Sequence, residues 1–207
     1  MRIGLIGGGG LAKEVSEIAT LNGYDIAGYF ADQPGTTRWK YLGAFDDVLY
    51  HRSDMQFTLC IGAVNADGVS RRRALIDYFS KSNINFANLI SPHAVVSEGV
   101  ILGKGLIVAH GVVLSVGAMI GDFCLLNTNS VVGHDANVGS NCILAPLSFL
   151  GGNTFLEQDV IIAPHASVLE GRKIHSGCVV GTGAVVYRDL KSNSTVMPVV
   201  TKTLKFQ

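Results

Sequence analysis

The hydrophobic pattern of the chain changes once, near residue 90. Before that point, short apolar runs alternate with stretches of helical spacing. The pattern predicts strands over 3–6, 26–30, 57–61 and 86–90, helices over 11–22 and 71–80, and a short helix over 46–52. Strands alternating with helices are typical of a parallel sheet with crossover connections. Residues 1–89 are therefore predicted to form a Rossmann-like α/β half domain.

From residue 90 onward, every sixth residue is a large aliphatic. A period of six fits neither a helix nor a simple strand, but it fits a parallel β-helix in which three hexads form one triangular coil. The aliphatic residue of each hexad would then point into the prism, giving five to six coils in a second domain over 90–207. The positions are Ile90, Val96, Leu102, Val108, Leu114, Ile120, Leu126, Val132, Val138, Leu144, Leu150, Leu156, Ile162, Val168, Ile174, Val180 and Val186.

Charge and composition narrow the function classes. Lys and Arg number 16, as do Asp and Glu, so the zero net charge argues against a general electrostatic grip on nucleic acid or an anionic membrane. Since no apolar run reaches the roughly 18 residues of a membrane span, no membrane association is predicted. The first residues show no signal-peptide pattern. Four dispersed cysteines favour a reduced, cytoplasmic setting: Cys60, Cys124, Cys142 and Cys178.

One histidine and one glycine share a predicted corner of the solenoid. His134 is the third residue of its hexad and faces outward, and Gly152 follows 18 residues later, one coil away in the same column. A histidine can take a proton near neutral pH, and a bare amide can stabilise an oxyanion, so the pair could serve acyl transfer. From the register alone, His134 could equally be a solvated corner residue.

The glycine loop after the first strand predicts ligand binding. Gly7-x-Gly9-x-x-Ala12, with Asp32 twenty residues later, fits the loose dinucleotide fingerprint and by itself suggests NAD. Only about 89 residues precede the solenoid, whereas a full dinucleotide domain has two halves, so a sugar nucleotide is the better fit. Alternatively, the glycines only allow close packing of helix on strand. The candidate substrate-binding residues here are Gly8, Gly9, Gly10, Asp32 and Gly62.

The other polar features of the sequence are further histidines in the hexads and a run of three arginines. Three further histidines of the hexads, His93, His110 and His165, do not converge with His134, so no metal site is predicted. The run Arg71-Arg72-Arg73 could contact a diphosphate or could form a solvated helix start.

The hexads, together with the stretch Asn127-Thr128-Asn129-Ser130-Val131-Val132-Gly133-His134-Asp135, resemble a known family. It comprises the hexapeptide-repeat sugar acyltransferases, related to sialic-acid O-acetyltransferase and to bacterial N-acetyltransferases of UDP-4-amino-sugars. The resemblance implies a left-handed β-helix, acetyl-CoA as co-substrate, and a homotrimer with active sites between subunits.

The same resemblance implies roles for particular residues. His134 would be the catalytic base, Asp135 would orient it, and the Gly152 amide would bind the thioester carbonyl. Asn127, in the matching stretch, joins the substrate-binding candidates. Acetyl-CoA would lie in a groove between adjacent prisms, along Gly152, Ala163, Pro164, Gly181 and Thr182.

Four positions depart from the family pattern. Leu11 and Ile143 stand where relatives carry histidines that contact the acceptor, and Ser91-Pro92 replaces the usual His-Pro. Val196-Met197-Pro198-Val199 replaces a Gly-x-Pro-Ala segment that touches the coenzyme in relatives. We therefore expect the chemistry to be kept and the specificity to differ.

Three hypotheses follow. The first is an acetyl-CoA-dependent N-acetyltransferase of a nucleotide-linked amino sugar in surface-glycan synthesis, with O-acylation of a sugar hydroxyl as its nearest alternative. The second is a sugar-nucleotide-binding homologue that no longer transfers acyl groups. The third is an NAD enzyme with a solenoid as oligomerisation module.

Overall fold

The computed structural model describes residues 1–199 and begins with an α/β unit. Its sheet is parallel throughout, with strand order β3-β2-β1-β4. The elements are β1 (Arg2–Ile6), α1 (Gly10–Leu21), β2 (Asp25–Phe30), β3 (Tyr41–Gly43), a 3-10 helix (Phe45–His51), β4 (Gln56–Leu59) and α2 (Ala66–Lys81).

The register of this sheet brings three loops to one edge. Ile6, the last residue of β1, lies opposite Phe30 of β2 and Leu59 of β4. The segments that follow these three strands therefore leave the sheet side by side. They contain the glycine loop, Asp32 and Gly62 respectively.

The α/β unit differs from the sequence prediction in its details. The three-residue edge strand β3 was missed, because so short a run carries no periodicity. The strand predicted over 86–90 is divided, since Phe86 forms only an isolated bridge with Phe57 while Leu89–Ile90 pairs with the solenoid. Helix α2 begins at Ala66, before the predicted start at residue 71. The side chain of Asn65 caps it by accepting a hydrogen bond from the N–H of Gly68.

The remainder of the described chain is a parallel β-helix of two-residue strands, which confirms the predicted fold class. Face 1 has seven strands: Leu89–Ile90, Ile107–Val108, Leu125–Leu126, Ile143–Leu144, Ile161–Ile162, Val179–Val180 and Thr195–Val196. Face 2 has six: Val95–Val96, Val113–Leu114, Val131–Val132, Phe149–Leu150, Ser167–Val168 and Val185–Val186. Face 3 has five: Ile101–Leu102, Met119–Ile120, Asn137–Val138, Phe155–Leu156 and Lys173–Ile174.

The predicted register of the hexads is confirmed in every coil. Each of the seventeen aliphatic positions is the second residue of a strand. From Val108 to Val186 these side chains are at most 3% exposed, so they form the core of the prism. At the open end of the prism, Val96 of the first coil is 41% exposed.

From Val96 to Val180, the corners turn through a left-handed residue three positions after each aliphatic. Glycine adopts this conformation without a steric penalty, and Asn and Asp tolerate it better than most residues. The fifteen consecutive residues are Gly99, Gly105, Gly111, Gly117, Phe123, Asn129, Asp135, Asn141, Leu147, Asn153, Asp159, His165, Gly171, Gly177 and Gly183.

The α/β unit covers one face of the prism. Outward residues of face 1, such as Leu125 and Ile143, are 2% exposed because this unit packs on them. Faces 2 and 3 are uncovered, and Phe149 and Phe155 on them are 42% and 39% exposed. Among residues 1–199, no helix combines the length and the apolar character that a bilayer crossing needs.

Candidate active site

The structure places His134 at the corner between faces 2 and 3, in the turn that joins Val131–Val132 to Asn137–Val138. Its side chain is 55% exposed, as the register predicts. Its carbonyl accepts the N–H of Asn153 from the next coil at 2.8 Å, which fixes the backbone under the ring.

Asp135 holds one edge of this imidazole. Nδ1 of His134 lies 3.0 Å from Oδ2 of Asp135, which occupies the left-handed corner position with φ of 56°. A carboxylate can only accept, so Nδ1 carries the proton and Nε2 presents a lone pair. Asp135 is itself anchored to the preceding coil, because its N–H donates to the carbonyl of Val116 at 3.0 Å.

Gly152 lies directly under the other edge of the ring, as the column spacing predicts. A Cβ at this position would collide with Nε2, Cε1 and Cδ2 of His134, so only glycine leaves the imidazole where it is. Within residues 1–199, the N–H of Gly152 donates to no backbone carbonyl. The neighbouring Gly133 is needed for a related reason, since a Cβ there would approach the nitrogen of Gly152 to 2.5 Å.

The other predicted coenzyme residues lie at a different corner. Ala163 and Gly181 occupy one column between faces 1 and 2, with Pro164 and Thr182 beside them. Asn127, predicted as a substrate-binding residue, lies in the same column. Within one chain they are separated from His134 by the width of face 2. The side chain of Met197 lies over Gly181, where a Cβ would approach its sulfur to 2.6 Å.

The predicted sugar-nucleotide residues lie at the sheet edge of the α/β unit. Gly9 and Gly10 are exposed at the start of α1, with open space where a Cβ would be. No side chain caps this helix start and its first turn has no acidic residue, which suits an anion. Gly8 is different, because it is buried and a Cβ there would strike the ring of Tyr29.

Gly62 and Asp32 face different surroundings. A Cβ on the exposed Gly62 would lie 3.7 Å from Cδ2 of Leu11 and 3.8 Å from Cδ2 of Leu125, so this glycine lies in a cleft between α1 and face 1. Asp32 is exposed and lines a separate pocket of about 270 Å³ together with Phe45 and Tyr78.

Sequence reasoning missed the role of the arginines on α2. Arg72 is completely buried, and Arg73 forms an ion pair of 2.8 Å with Asp159 of the solenoid. Neither expectation made for the arginine run, a diphosphate contact or a solvated helix start, holds for Arg72. Its acceptors are tertiary, so no local pattern could have indicated them.

The four cysteines are free and buried, and burial raises the pKa of the Cys60 thiol. No group of three or more His, Cys, Asp or Glu side chains placed to hold a metal ion occurs in the part of the chain that the structure describes.

Comparisons with known proteins show the family to which the chain belongs. The family described as PglD N-terminal domain matches residues 2–74. One similar structure is that of a histidine-to-asparagine variant of perosamine N-acetyltransferase from Caulobacter crescentus, in complex with CoA and GDP-perosamine. Its sequence is 30% identical to this chain, the TM-score is 0.88, and the match covers 98% of this chain and 96% of that one. The acetyltransferase domain of PglB from Neisseria gonorrhoeae, in complex with acetyl coenzyme A, is 26% identical with a TM-score of 0.87, covering 98% of each chain.

A third structure, WeeI from Acinetobacter baumannii, is 22% identical with a TM-score of 0.77 over 96% of this chain and 97% of that one, and shows the shared fold. No curated protein sequence matches the chain. The solenoid and these matches define an acyltransferase of the hexapeptide-repeat class. The chain belongs to the sugar acyltransferase family of that class, which includes perosamine N-acetyltransferase.

Proposed function

We propose that this acyltransferase moves the acetyl group of acetyl-CoA to the amine of a nucleotide-linked amino sugar, in the synthesis of a surface glycan. The observation that carries the proposal is the imidazole of His134, held by Asp135 on one edge and seated over the bare backbone of Gly152 on the other. This arrangement places a base and an amide donor within one coil step.

His134 is the general base of the proposed reaction. Its Nε2 takes a proton from the sugar amine as the nitrogen attacks the thioester carbonyl, and returns that proton to the sulfur when the C–S bond breaks. The products are the N-acetyl sugar and CoA. Asp135 fixes the ring and its tautomer, and it compensates the positive charge of the imidazolium between these two transfers.

The amide of Gly152 supplies the second element. Its N–H, which no backbone carbonyl in residues 1–199 accepts, would donate to the oxyanion of the tetrahedral intermediate. Corner amides at this position of the hexad commonly lack a backbone acceptor, so the free N–H alone is not distinctive. What distinguishes Gly152 is the absence of a side chain directly beneath a histidine.

The two substrates are assigned to different parts of the chain. The donor groove would follow the corner of Ala163, Pro164, Gly181 and Thr182. The acceptor would use the exposed Gly9, Gly10 and Gly62. The buried Gly8, Asp32 in its separate pocket and Asn127 at the donor corner are not assigned to it. The relatives support the two kinds of ligand, since one structure holds CoA with GDP-perosamine and another holds acetyl coenzyme A.

We infer a homotrimer from the separation of the two corners. In one chain, the donor corner and His134 lie on opposite sides of face 2, whose outward residues Val95, Phe149 and Val185 are all more than 40% exposed. A symmetric neighbour packed on this apolar side would cover it and could bring its donor corner to His134.

Mass spectrometry of acetylated sugars tests the proposed reaction. GDP-, UDP- and dTDP-linked 4-amino-sugars are incubated with acetyl-CoA and the protein, beside the His134→Ala variant. We expect a gain of one acetyl group that the variant loses. A gain that persists in the variant would remove His134 from the mechanism, and no gain with any of these sugars would count against amine transfer.

Hydroxylamine treatment of the product separates amine from hydroxyl transfer. It cleaves an acetyl ester and leaves an acetamide intact, so the proposed product resists it. The N–O distinction matters here because the family resemblance implies acceptor-contacting histidines where this chain has Leu11 and the buried Ile143.

Mixing two inactive variants tests the shared site. In random trimers of His134→Ala with Ala163→Trp, about one interface in four combines an intact histidine with an intact donor corner. We expect activity to return toward a quarter of the wild-type value after subunit exchange. If activity does not return although the subunits have exchanged, the histidine and the donor corner of each active site belong to one chain.

A further inference from the structure

Arg72 is the largest side chain that the described part of the chain buries completely. It lies on α2, between the α/β unit and the solenoid. Burial lowers the pKa of Arg72 to about 10, because the charged form loses its hydration. A buried guanidinium is costly where its N–H groups lack acceptors. Nε and Nη1 of Arg72 have acceptors, whereas Nη2 has no hydrogen-bond partner among the described residues, so Nε and Nη1 set the position of the side chain.

The acceptors of Arg72 belong to both units. Its Nε donates to the carbonyl of Ile61 at 2.7 Å, in the loop after β4. Its Nη1 donates to the carbonyl of Phe123 at 2.8 Å and to the side-chain oxygen of Asn141, both at a solenoid corner. Asn141 is buried as well, and its amide donates to Asp159 at 2.6 Å. One side chain thus ties the loop after β4 to the prism.

These two carbonyls adjoin the walls of one cleft. Ile61 immediately precedes Gly62, and Phe123 lies two residues before Leu125. A Cβ on the exposed Gly62 would be in ordinary van der Waals contact with Leu11 and Leu125, so these two side chains form the cleft walls beside the glycine. Any change in the distance between the Ile61 and Phe123 carbonyls would therefore change the width of this cleft.

We propose that Arg72 is a positioning residue for the sugar-nucleotide acceptor: it holds the Gly62 loop at a fixed spacing from Leu125, so that the acceptor meets a preformed cleft. The assignment of this cleft to the acceptor rests on the proposed function. The proposed donor groove, at the corner of Ala163 and Gly181, receives no hydrogen bond from Arg72 in the part of the chain described. The effect of Arg72 should therefore fall on one substrate only.

Steady-state kinetics of Arg72→Met and Arg72→Lys test this selectivity. Arg71→Ala is the matched control, since Arg71 is the exposed neighbour on the same helix. For Arg72→Met we expect the KM of the nucleotide amino sugar to rise about tenfold or more, with kcat and the KM of acetyl-CoA changed by less than about twofold. Arg72→Lys, which keeps the charge but not the fork of donors, should give a smaller rise.

The opposite pattern overturns the inference. A parallel rise in both KM values, a loss confined to kcat, or an equal effect of Arg71→Ala would show that Arg72 does not act on the acceptor cleft. If Arg72→Met fails to fold, the same kinetic constants measured on Arg72→Lys decide whether the inference holds. If neither variant folds, Arg72 serves the stability of the fold and the proposal fails.

Hydrogen exchange provides a readout that needs no turnover. The N–H groups of Cys60 and Phe123, beside the two carbonyls that Arg72 binds, donate to backbone carbonyls at 2.8 Å. Amide exchange at these two positions should be faster in both Arg72 variants than in wild-type protein without ligand, and unchanged in Arg71→Ala. Unchanged exchange at these amides would overturn the inference. Because this result does not depend on acetyl transfer, it separates a failure of the Arg72 proposal from a failure of the proposed function.

Discussion

Two histidine–carboxylate pairs lie on this solenoid, and they differ in what surrounds the ring. His134 and Asp135 are chain neighbours within one turn, joined at 3.0 Å. His175 and Glu157 are one coil apart, joined at 2.8 Å, and the second oxygen of Glu157 also accepts the N–H of Ser176 at 2.8 Å. The first pair lies over a glycine, whereas the second connects two coils.

The difference shows that a histidine paired with an acid does not by itself define a catalytic site. The carboxylate of Glu157 is divided between a ring and a backbone amide of the next coil, so this pair holds the stack of coils together. The carboxylate of Asp135 accepts from the imidazole, and the free Nε2 of His134 faces the bare backbone of Gly152. Chemistry is therefore expected at the first pair and stability at the second.

The largest expected effect separates the two histidines directly. His134→Gln should lower kcat for acetyl transfer by about a thousandfold, because the general base is lost. His175→Gln should leave kcat within about twofold of wild type. Turnover of both variants under saturating substrates provides the measurement, and a similar loss in both would contradict the distinction.

Filling the space under His134 should have the next largest effect. Gly152→Ala would displace the imidazole and disturb the amide, so we expect kcat to fall by about a hundredfold. Gly171→Ala, at the same corner one coil further on, is the control, since its Cβ would find open space. The control has a positive φ of 69° and should lose about 1 kcal/mol of stability but no activity. An active Gly152→Ala enzyme would contradict the proposed geometry.

Replacing the orienting carboxylate should have a smaller effect. Asp135→Asn keeps the shape and the left-handed preference of the corner, where Asn129, Asn141 and Asn153 occupy equivalent positions. We expect a fall in kcat of about tenfold, since the ring loses its charged acceptor, without a change in thermal midpoint. A shifted midpoint with unchanged kcat would assign Asp135 to the fold instead.

The smallest expected effect concerns the pair of His175 and Glu157, and it appears in the pH dependence of thermal stability. The bonds from His175 and then from Ser176 lower the pKa of Glu157 below its ordinary 4.5. A carboxyl group whose pKa is lower in the folded than in the unfolded protein stabilises the fold at pH values above its unfolded pKa. This stabilisation is lost as pH falls through the folded pKa. Thermal midpoints of wild type and Glu157→Gln should therefore differ at pH 7 and converge below about pH 4.5. Parallel curves would contradict this role.

The solenoid could be predicted from the sequence because its register is local. Each aliphatic position is set by the six-residue period, and no distant contact changes it, so the stacking of Gly152 under His134 followed from a spacing of 18. The left-handed corner residue was missed, although most of the fifteen positions are Gly, Asn or Asp and carry a recognisable signal.

The contacts between the two units could not be predicted in this way. Arg72 and Asn141 meet only after α2 has packed on the prism, and the other acceptors of Arg72 are backbone carbonyls that any residue could supply. The strand predicted over 86–90 was divided for a similar reason, because Leu89–Ile90 finds a better partner in Ile107–Val108 than in the sheet. Tertiary pairing decides both cases.

The triangular coil also restricts how the length of this chain can vary. Each coil adds about 4.8 Å to the prism, so losing or gaining eighteen residues would shorten or lengthen it and leave every corner in its column. A change of six residues would instead turn everything downstream by about a third of a revolution. A six-residue deletion between His134 and Ala163 would carry Ala163 and Pro164 to the corner that faces α2. Homologues that keep the histidine and the proposed donor groove at these two corners should therefore differ in solenoid length by whole coils.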